Sequence, residues 1–394
     1  MSTKRIYNRG WHFLQIPGPS NTPERVLRAM SKPTLDHRGP EFGVLSKRIL
    51  EGLKKLFQTD GHVIIYPSSG TGAWEAALTN LFTPGDKVLA YETGHFAVLW
   101  KTLAEKLGLE VEWIESDWRR GVDAQLIEDK LKSDHKGEIK GVMIVHNETS
   151  SGITSDVKSV RNAIDNVNHP ALLLVDVVSS LGTTPFDQQE WGVDVAICAS
   201  QKGLMMPPGL GFNSINEKAR EHSKKISTHQ SYWQWEKIIE MNATGYFPYT
   251  PASGLFFGLE ESLNMIFEEG MDTLNQRHRR LATACRVACE AWGLENQCLN
   301  PNEYSDSTTA LIIPEGHNAD ELRAVILKKY NMSLGSGLGK LKSNIFRIGH
   351  LGDFNELMLM GTLSGVEMGM ELVKIPFHKG GVQAAMTYLT DHKR

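Results

Sequence analysis

Between about Gly61 and Phe212 the chain alternates short apolar runs with amphipathic stretches, the rhythm of βα units feeding one mostly parallel sheet. The apolar runs predict strands at Val63–Tyr66, Lys87–Ala90, Glu110–Trp113, Gly141–Val145, Leu172–Asp176 and Val193–Cys198. The stretches between them predict helices such as Ala73–Leu81 and Val98–Leu107, the second closed by Gly108 as a C-terminal cap. Right-handed crossovers place the strand C-termini along one edge, where ligands bind in open α/β sheets. After about residue 260 the pattern changes to a long helix over Gly270–Trp292, strands over Thr308–Pro314 and Asn344–Gly349, and helices over Ala319–Lys329 and Asn355–Leu372. The expectation is an α/β chain with an N-terminal arm and active-site loop over 1–20, a large domain over 21–260, and a smaller α+β domain over 261–394.

Composition adds exclusions rather than a function. The 394 residues are 41% hydrophobic and 22% charged, long enough for two or three domains. A net charge of −4 gives no electrostatic reason to expect nucleic acid or an anionic membrane as partner, which leaves small-molecule chemistry. The four cysteines, at 198, 285, 289 and 298, fit a reducing compartment rather than a disulfide framework, so a cytoplasmic location is expected. Cys285 and Cys289 have a spacing that could present two thiolates to a metal, but no histidine or carboxylate cluster completes a site, and no metal is expected. The first ten residues carry charges without an apolar run, no window approaches a membrane span, and Asp391-His-Lys-Arg394 is not a peroxisomal address.

Candidate chemistry gathers on the predicted ligand edge. Lys202, in Cys198-Ala-Ser-Gln-Lys-Gly203, follows one strand, and Asp176 ends its neighbour. A lysine and an aspartate on adjacent strand ends can grip a pyridine cofactor from two sides, the lysine as an imine and the carboxylate on the ring nitrogen. Taken singly, Lys202 could be a solvated loop lysine and Asp176 a strand-end or helix-capping aspartate. The apolar, stiff Met205-Met-Pro-Pro-Gly209 that follows argues for a buried, fixed loop around Lys202. Ser68-Ser-Gly-Thr-Gly72 follows a strand and opens a helix, so hydroxyls, free amides and the helix dipole converge as a phosphate would need; a plain glycine-rich turn reads the same way. Phe96 follows another strand and suits either stacking on a planar cofactor or core filling. Arg347 lies inside a short apolar strand, where an unpaired guanidinium is costly; a substrate carboxylate or a structural salt bridge would satisfy it.

Longer motifs carry a resemblance. Pro17-Gly-Pro-Ser-Asn-Thr-Pro23, Asp36-His-Arg38, Gly70-Thr-Gly-Ala-Trp-Glu75, Glu115-Ser-Asp-Trp118, His146-Asn-Glu-Thr149, Trp191-Gly-Val-Asp-Val195, Ser200-Gln-Lys202 and Phe346-Arg-Ile-Gly-His-Leu-Gly352 resemble, in order, those of the serine–glyoxylate aminotransferases. That group belongs to the class V aminotransferases, so the resemblance implies the type I fold of pyridoxal phosphate (PLP) enzymes and a homodimer with a cross-subunit active site. It implies Lys202 as imine lysine with Gln201 beside the phosphate, Asp176 at the pyridine nitrogen, and Val178 packed under the ring. Ser69, Gly70 and Thr71 are similar to the phosphate cup, Thr149 to the hydroxyl near the cofactor's 3-oxygen, and Phe96 to the stacking aromatic. Thr250 resembles a residue reaching the phosphate from the partner subunit, with Phe247 beside it. Arg347 resembles the clamp for the substrate α-carboxylate, and Gly18, in the loop Pro17–Thr22, a limit on substrate size. Relatives often carry tryptophan at Phe96, tyrosine near Phe247 and threonine at Ser151.

The implied reaction is a ping-pong transfer of an amino group from a small L-amino acid, serine first, to glyoxylate, giving glycine and hydroxypyruvate. Aspartate or alanine as donor are the alternatives. A β-lyase of the cysteine desulfurase type needs a nucleophilic cysteine on a C-terminal loop, and residues 299–394 contain none.

Overall fold

The computed structural model describes residues 10–226 and 231–392; residues 1–9, most of the N-terminal stretch considered above, and the last two residues lie outside the described residues. The strands in chain order are β1 (Phe13–Gln15), β2 (His62–Ser68), β3 (Lys87–Tyr91), β4 (Glu110–Ile114), β5 (Ile139–Val145), the short pair β6 (Asn147–Glu148) and β7 (Ile153–Thr154), β8 (Leu172–Asp176), β9 (Val195–Ala199), β10 (Gly209–Ile215), β11 (Thr308–Ile312), β12 (Met332–Ser336) and β13 (Ile345–Gly349). Seven of them form one sheet in the order β2-β10-β9-β8-β5-β3-β4, in which only β10 runs against its neighbours. The expected mostly parallel sheet is therefore present. β10 itself has no counterpart among the predicted strands, because Gly209-Leu-Gly-Phe-Asn-Ser-Ile215 interrupts its apolar run with two glycines and an asparagine. Those residues are tolerated for local reasons. A Cβ at Gly211 would lie 2.7 Å from the carbonyl oxygen of Ser69, and buried Asn213 donates to Ala73 O at 2.9 Å and accepts from the Tyr66 hydroxyl at 3.0 Å.

The predicted helices are present, the later ones within a residue of their expected starts and the two in the large domain starting earlier. The Ala73–Leu81 helix begins at Gly70, and the Val98–Leu107 helix runs His95–Lys106 with Gly108 beyond its end at φ +85°, the left-handed conformation a C-terminal cap requires. Both early starts matter, since they draw Gly70, Thr71 and Phe96 into first helical turns on the ligand edge.

A second sheet, β1-β12-β13-β11, takes its edge strand from the N-terminus: β1 pairs in parallel with β12. Two apolar cores accompany the two sheets. One surrounds the large sheet and includes Leu259, Leu263 and Ile266 of the helix Ser253–Glu269; the other is built from Leu311, Phe346, Ile348 and the helices around them. The helix Met271–Trp292 joins them, with Leu274 in the first core and Leu281 onward in the second. Among the described residues no helix is long and apolar enough to cross a membrane.

Candidate active site

In the large sheet Val145, Asp176 and Ile197 lie side by side across β5, β8 and β9, so the chain segments leaving these strands converge at one place. There the chain encloses a cavity of about 300 Å³ whose wall includes Gly18, Gly70, Phe96, Thr149, Asp176 and Lys202. Ser69, Thr71, Val178 and Gln201 also line it. A larger, shallow depression between Lys54 and Glu190 is a mixed-charge surface with no such convergence.

Asp176 is buried and held by two donors. Trp74 Nε1 donates to Oδ2 at 2.7 Å, and the Val178 amide donates to Oδ1 at 2.8 Å. Trp74 is itself fixed by stacking on Trp100 at 5.8 Å. Burial outweighs these donors and pushes the Asp176 carboxyl up to about 7. A cationic N–H brought against it would reverse that shift, which is the task of a pyridinium nitrogen.

Lys202 faces it from the loop after β9. Burial lowers its amine to about 8, with Arg347 adding in the same direction while Asp176 and Glu148 oppose. Its Nζ donates to the Pro17 carbonyl. Gly18, at φ +111°, passes so close that a Cβ there would sit 2.4 Å from Lys202 Cδ and 2.5 Å from Nζ. Only glycine lets the Pro17–Pro19 loop cross the amine.

The helix Gly70–Leu81 points its N-terminus at the cavity. Ser69 is its N-cap but makes no capping bond, and no acidic residue stands in the first turn. The first-turn amides are thus left for an external anion. Gln201 Oε1, buried nearby, has no hydrogen-bond partner either. Val178 packs on the start of this helix, its Cγ2 3.1 Å from where a Gly70 Cβ would be. Free amides, hydroxyls and an orphaned amide at one end, with a carboxylate at the other, fit the phosphate and ring nitrogen of pyridoxal phosphate.

Phe96 is placed by Glu148. This buried carboxylate accepts from the Phe96 and Ala97 amides at 3.1 Å each and from the Ser150 hydroxyl at 2.7 Å, so it caps the helix His95–Lys106. A Cβ on Gly94 would lie 2.4 Å from Glu148 Cγ, so that close approach also requires glycine. Glu148 is occupied in this way and does not neutralise Arg347 directly.

Arg347 is buried on β13 and donates from Nε to Ser336 O at 2.8 Å and from Nη1 to Thr149 O at 2.7 Å. Among the described residues no carboxylate lies within ion-pair distance of it, so the structural salt bridge is absent. Burial lowers its guanidinium to about 10, opposed by Glu148. The side chain is a buried cation with two carbonyl acceptors and spare donors that could take an incoming carboxylate.

Phe247, Thr250 and Arg347 are not among the residues lining the cavity, although Arg347 bonds to the carbonyl of Thr149, which does line it. Phe247 is buried among Phe42, Tyr249 and Phe256, and Thr250 is exposed. Sequence reasoning assigned no role to Trp74, Asn147 or Ser179, which also line the cavity. Asn147 donates to Ser179 Oγ at 3.0 Å and to Ser307 Oγ at 2.8 Å, tying β6 to the segment before β11. Trp74 lies in the Gly70–Glu75 motif, and only the packing of that helix start on the end of β8 brings it to Asp176.

Residues 12–341 match the family model described as aminotransferase class-V. The chain is 44% identical over 391 residues to a serine–glyoxylate aminotransferase of Arabidopsis thaliana, covering 98% of this chain and 97% of that protein. It is 42% identical over 379 residues to an L-aspartate–glyoxylate aminotransferase of Paracoccus denitrificans, with 95% of each covered. Among solved structures, ureidoglycine–glyoxylate aminotransferase of Bacillus subtilis superposes with a TM-score of 0.89 at 26% identity, over 98% of this chain and 99% of that one.

Proposed function

Because the chain belongs to the class V aminotransferases, and so is a transaminase whose cofactor is pyridoxal phosphate, we propose that it transfers the amino group of a small L-amino acid, serine first, to glyoxylate. The products are glycine and, from serine, hydroxypyruvate. Aspartate is the second donor to consider, given the Paracoccus denitrificans relative. Arg347 supports this most: a buried guanidinium bonded to the carbonyl of the cavity-wall residue Thr149, with only backbone carbonyls as partners and no carboxylate within ion-pair distance among the described residues.

Bound here, the cofactor supplies an aldehyde that exchanges amine partners and a ring that delocalises the electron pair left on the substrate α-carbon. The protein does the rest. First-turn amides after Ser69, the hydroxyls of Ser69 and Thr71, and the Gln201 amide hold the phosphate. Asp176 would keep the ring nitrogen protonated, with Val178 and Phe96 to pack on the ring and the Thr149 hydroxyl to hydrogen-bond it. Lys202 Nζ, its amine lowered by burial to about 8, would carry the substrate α-proton, with its neutral form more populated near neutral pH than an exposed lysine's. Arg347 orients the α-carboxylate, and Pro17 and Gly18 limit what else fits.

The assembly is also part of the proposal. We take the chain as a cytoplasmic homodimer in which exposed Thr250, with Phe247 behind it, serves the partner's phosphate site. The two cores support division into an arm over 1–20, a large domain from 21 and a small domain, with the hand-over at Gly270 because the helix Ser253–Glu269 crosses residue 260. A donor screen with glyoxylate tests the function: glycine should form fastest from serine. Faster turnover with aspartate or alanine would reassign the donor, and no glycine from any of serine, aspartate, alanine and glutamate would remove glyoxylate as acceptor.

A further inference from the structure

One helix outside the active site grips a turn that touches both halves of it. In the helix Met271–Trp292, Arg277 donates from Nη1 to the carbonyls of Gly352 at 3.0 Å and Phe354 at 2.9 Å, while Glu269 holds its Nε and Nη2 at 2.6 and 2.9 Å. The next residue, His278, is fully buried. Its Nδ1 lies 2.8 Å from the Leu274 carbonyl, and its Nε2 accepts the Gly352 amide at 3.1 Å. A carbonyl on one side and an N–H on the other permit one neutral tautomer, protonated at Nδ1. Arg277 and His278 therefore hold Gly352 by its oxygen and its nitrogen at once.

The far side of the turn presses on the lysine loop. A Cβ at Gly352 would lie 3.2 Å from Ser20 Cβ and 3.3 Å from Met205 Cγ. Ser20 donates from Oγ to the Lys202 carbonyl at 2.9 Å and from its amide to the Gln201 carbonyl at 2.9 Å. Met205, held at φ +55°, donates its amide to the Lys202 carbonyl at 3.0 Å. A buried side chain in that left-handed conformation persists only where its surroundings over-determine it. The same turn continues from β13, which carries Arg347.

We propose that Arg277 and His278 are positioning residues: by pinning the Gly352 turn against Ser20 and Met205 they set the place of the Lys202 amine and tie it to the strand of the carboxylate clamp. This rests on the reading of Lys202 given above. Neither residue touches the cavity, and both act through backbone and loop contacts.

The test uses the holoenzyme and two substitutions that split the two bonds of His278. Asparagine places its amide near the Nδ1 position and keeps the bond to Leu274; glutamine places it near Nε2 and keeps the bond to Gly352. Loosening the turn lets water reach Lys202, and relief of burial favours the protonated form. His278→Asn should shift the pH midpoint of the visible cofactor band upward by about 0.5 unit or more. It should also lower kcat about tenfold with KM for glyoxylate changed less than about twofold. His278→Gln should restore both to near wild type. The charged groups facing Lys202, namely Asp176, Glu148 and Arg347, stay unaltered in these variants. If His278→Asn does not fold, Arg277→Lys, which loses the paired grip on Glu269 and Gly352, should produce the same upward shift. A wild-type midpoint in every folded variant, or a loss confined to thermal stability, overturns the proposal. A wild-type protein with no pH-dependent visible band, or a Lys202→Ala protein that keeps one, would instead overturn the reading of Lys202.

Discussion

Two aspartates sit at opposite ends of the same sheet, both almost fully buried, and they have opposite surroundings. Asp194, just before β9, accepts from the Leu173 amide at 2.8 Å and from Asn216 at 2.9 Å, with Lys218 at 3.3 Å and Arg161 at 3.6 Å. Asp176, at the end of β8, has Trp74 and Val178 as donors and, among the described residues, no cation within ion-pair distance. The first charge is neutralised by the fold. The second is left costly, and its carboxyl is pushed up to about 7 by burial. What separates Asp194 from Asp176, the aspartate proposed to serve the cofactor, is the missing counter-charge rather than burial.

The largest test of that contrast is catalytic. Asp176→Asn should lower kcat by about 10²–10³-fold, because a neutral amide cannot hold a proton on the ring nitrogen; Asp194→Asn should leave kcat within about twofold. Next comes stability: Asp194→Asn removes a buried acceptor of the Leu173 amide and a charge near Arg161 and Lys218, and since Arg161 keeps Asp165 at 2.6 Å it should cost about 1–3 kcal/mol in denaturant unfolding. Arg347→Ala should raise KM for both donor and glyoxylate about 10–100-fold, and an unchanged KM would return the arginine to a structural role.

The smallest effect is a pH dependence in the apoprotein. The folded Asp176 pKa, about 7, exceeds the unfolded value of about 3.9, so between these pH values the folded state binds more protons. Stability from this group is therefore greatest at low pH and declines as pH rises toward 7, then levels off. Apo Asp176→Asn lacks that decline. Its melting temperature should exceed that of wild-type apoprotein at pH 8 and the gap should narrow toward pH 5; a gap constant with pH would mean that Asp176 is not held at a raised pKa.

Much of this edge was legible in the sequence because strands ending in polar residues are read by period and length, and Asp176, Lys202 and the Ser68–Gly72 turn each terminate an apolar run. Asp194 shows the limit. It too borders such a run, and nothing in its sequence neighbours reveals Arg161 or Lys218, which reach it from two other helices. Arg347 shows the converse. Its place in an apolar strand forecast a buried cation in need of a carboxylate, but that Glu148 is occupied in capping the His95–Lys106 helix depends on side chains brought together across the sheet edge. β1 escaped notice for the same reason: three residues gain strand character only by pairing with β12, more than three hundred positions away.

Of the proposed roles, the attachment of the cofactor to Lys202 matters most. Borohydride reduction of the holoenzyme followed by peptide mass spectrometry tests it directly. The reduced cofactor's mass is expected on the peptide containing Lys202 and on no other lysine. The same mass on a different lysine, with Lys202 unmodified, would contradict it.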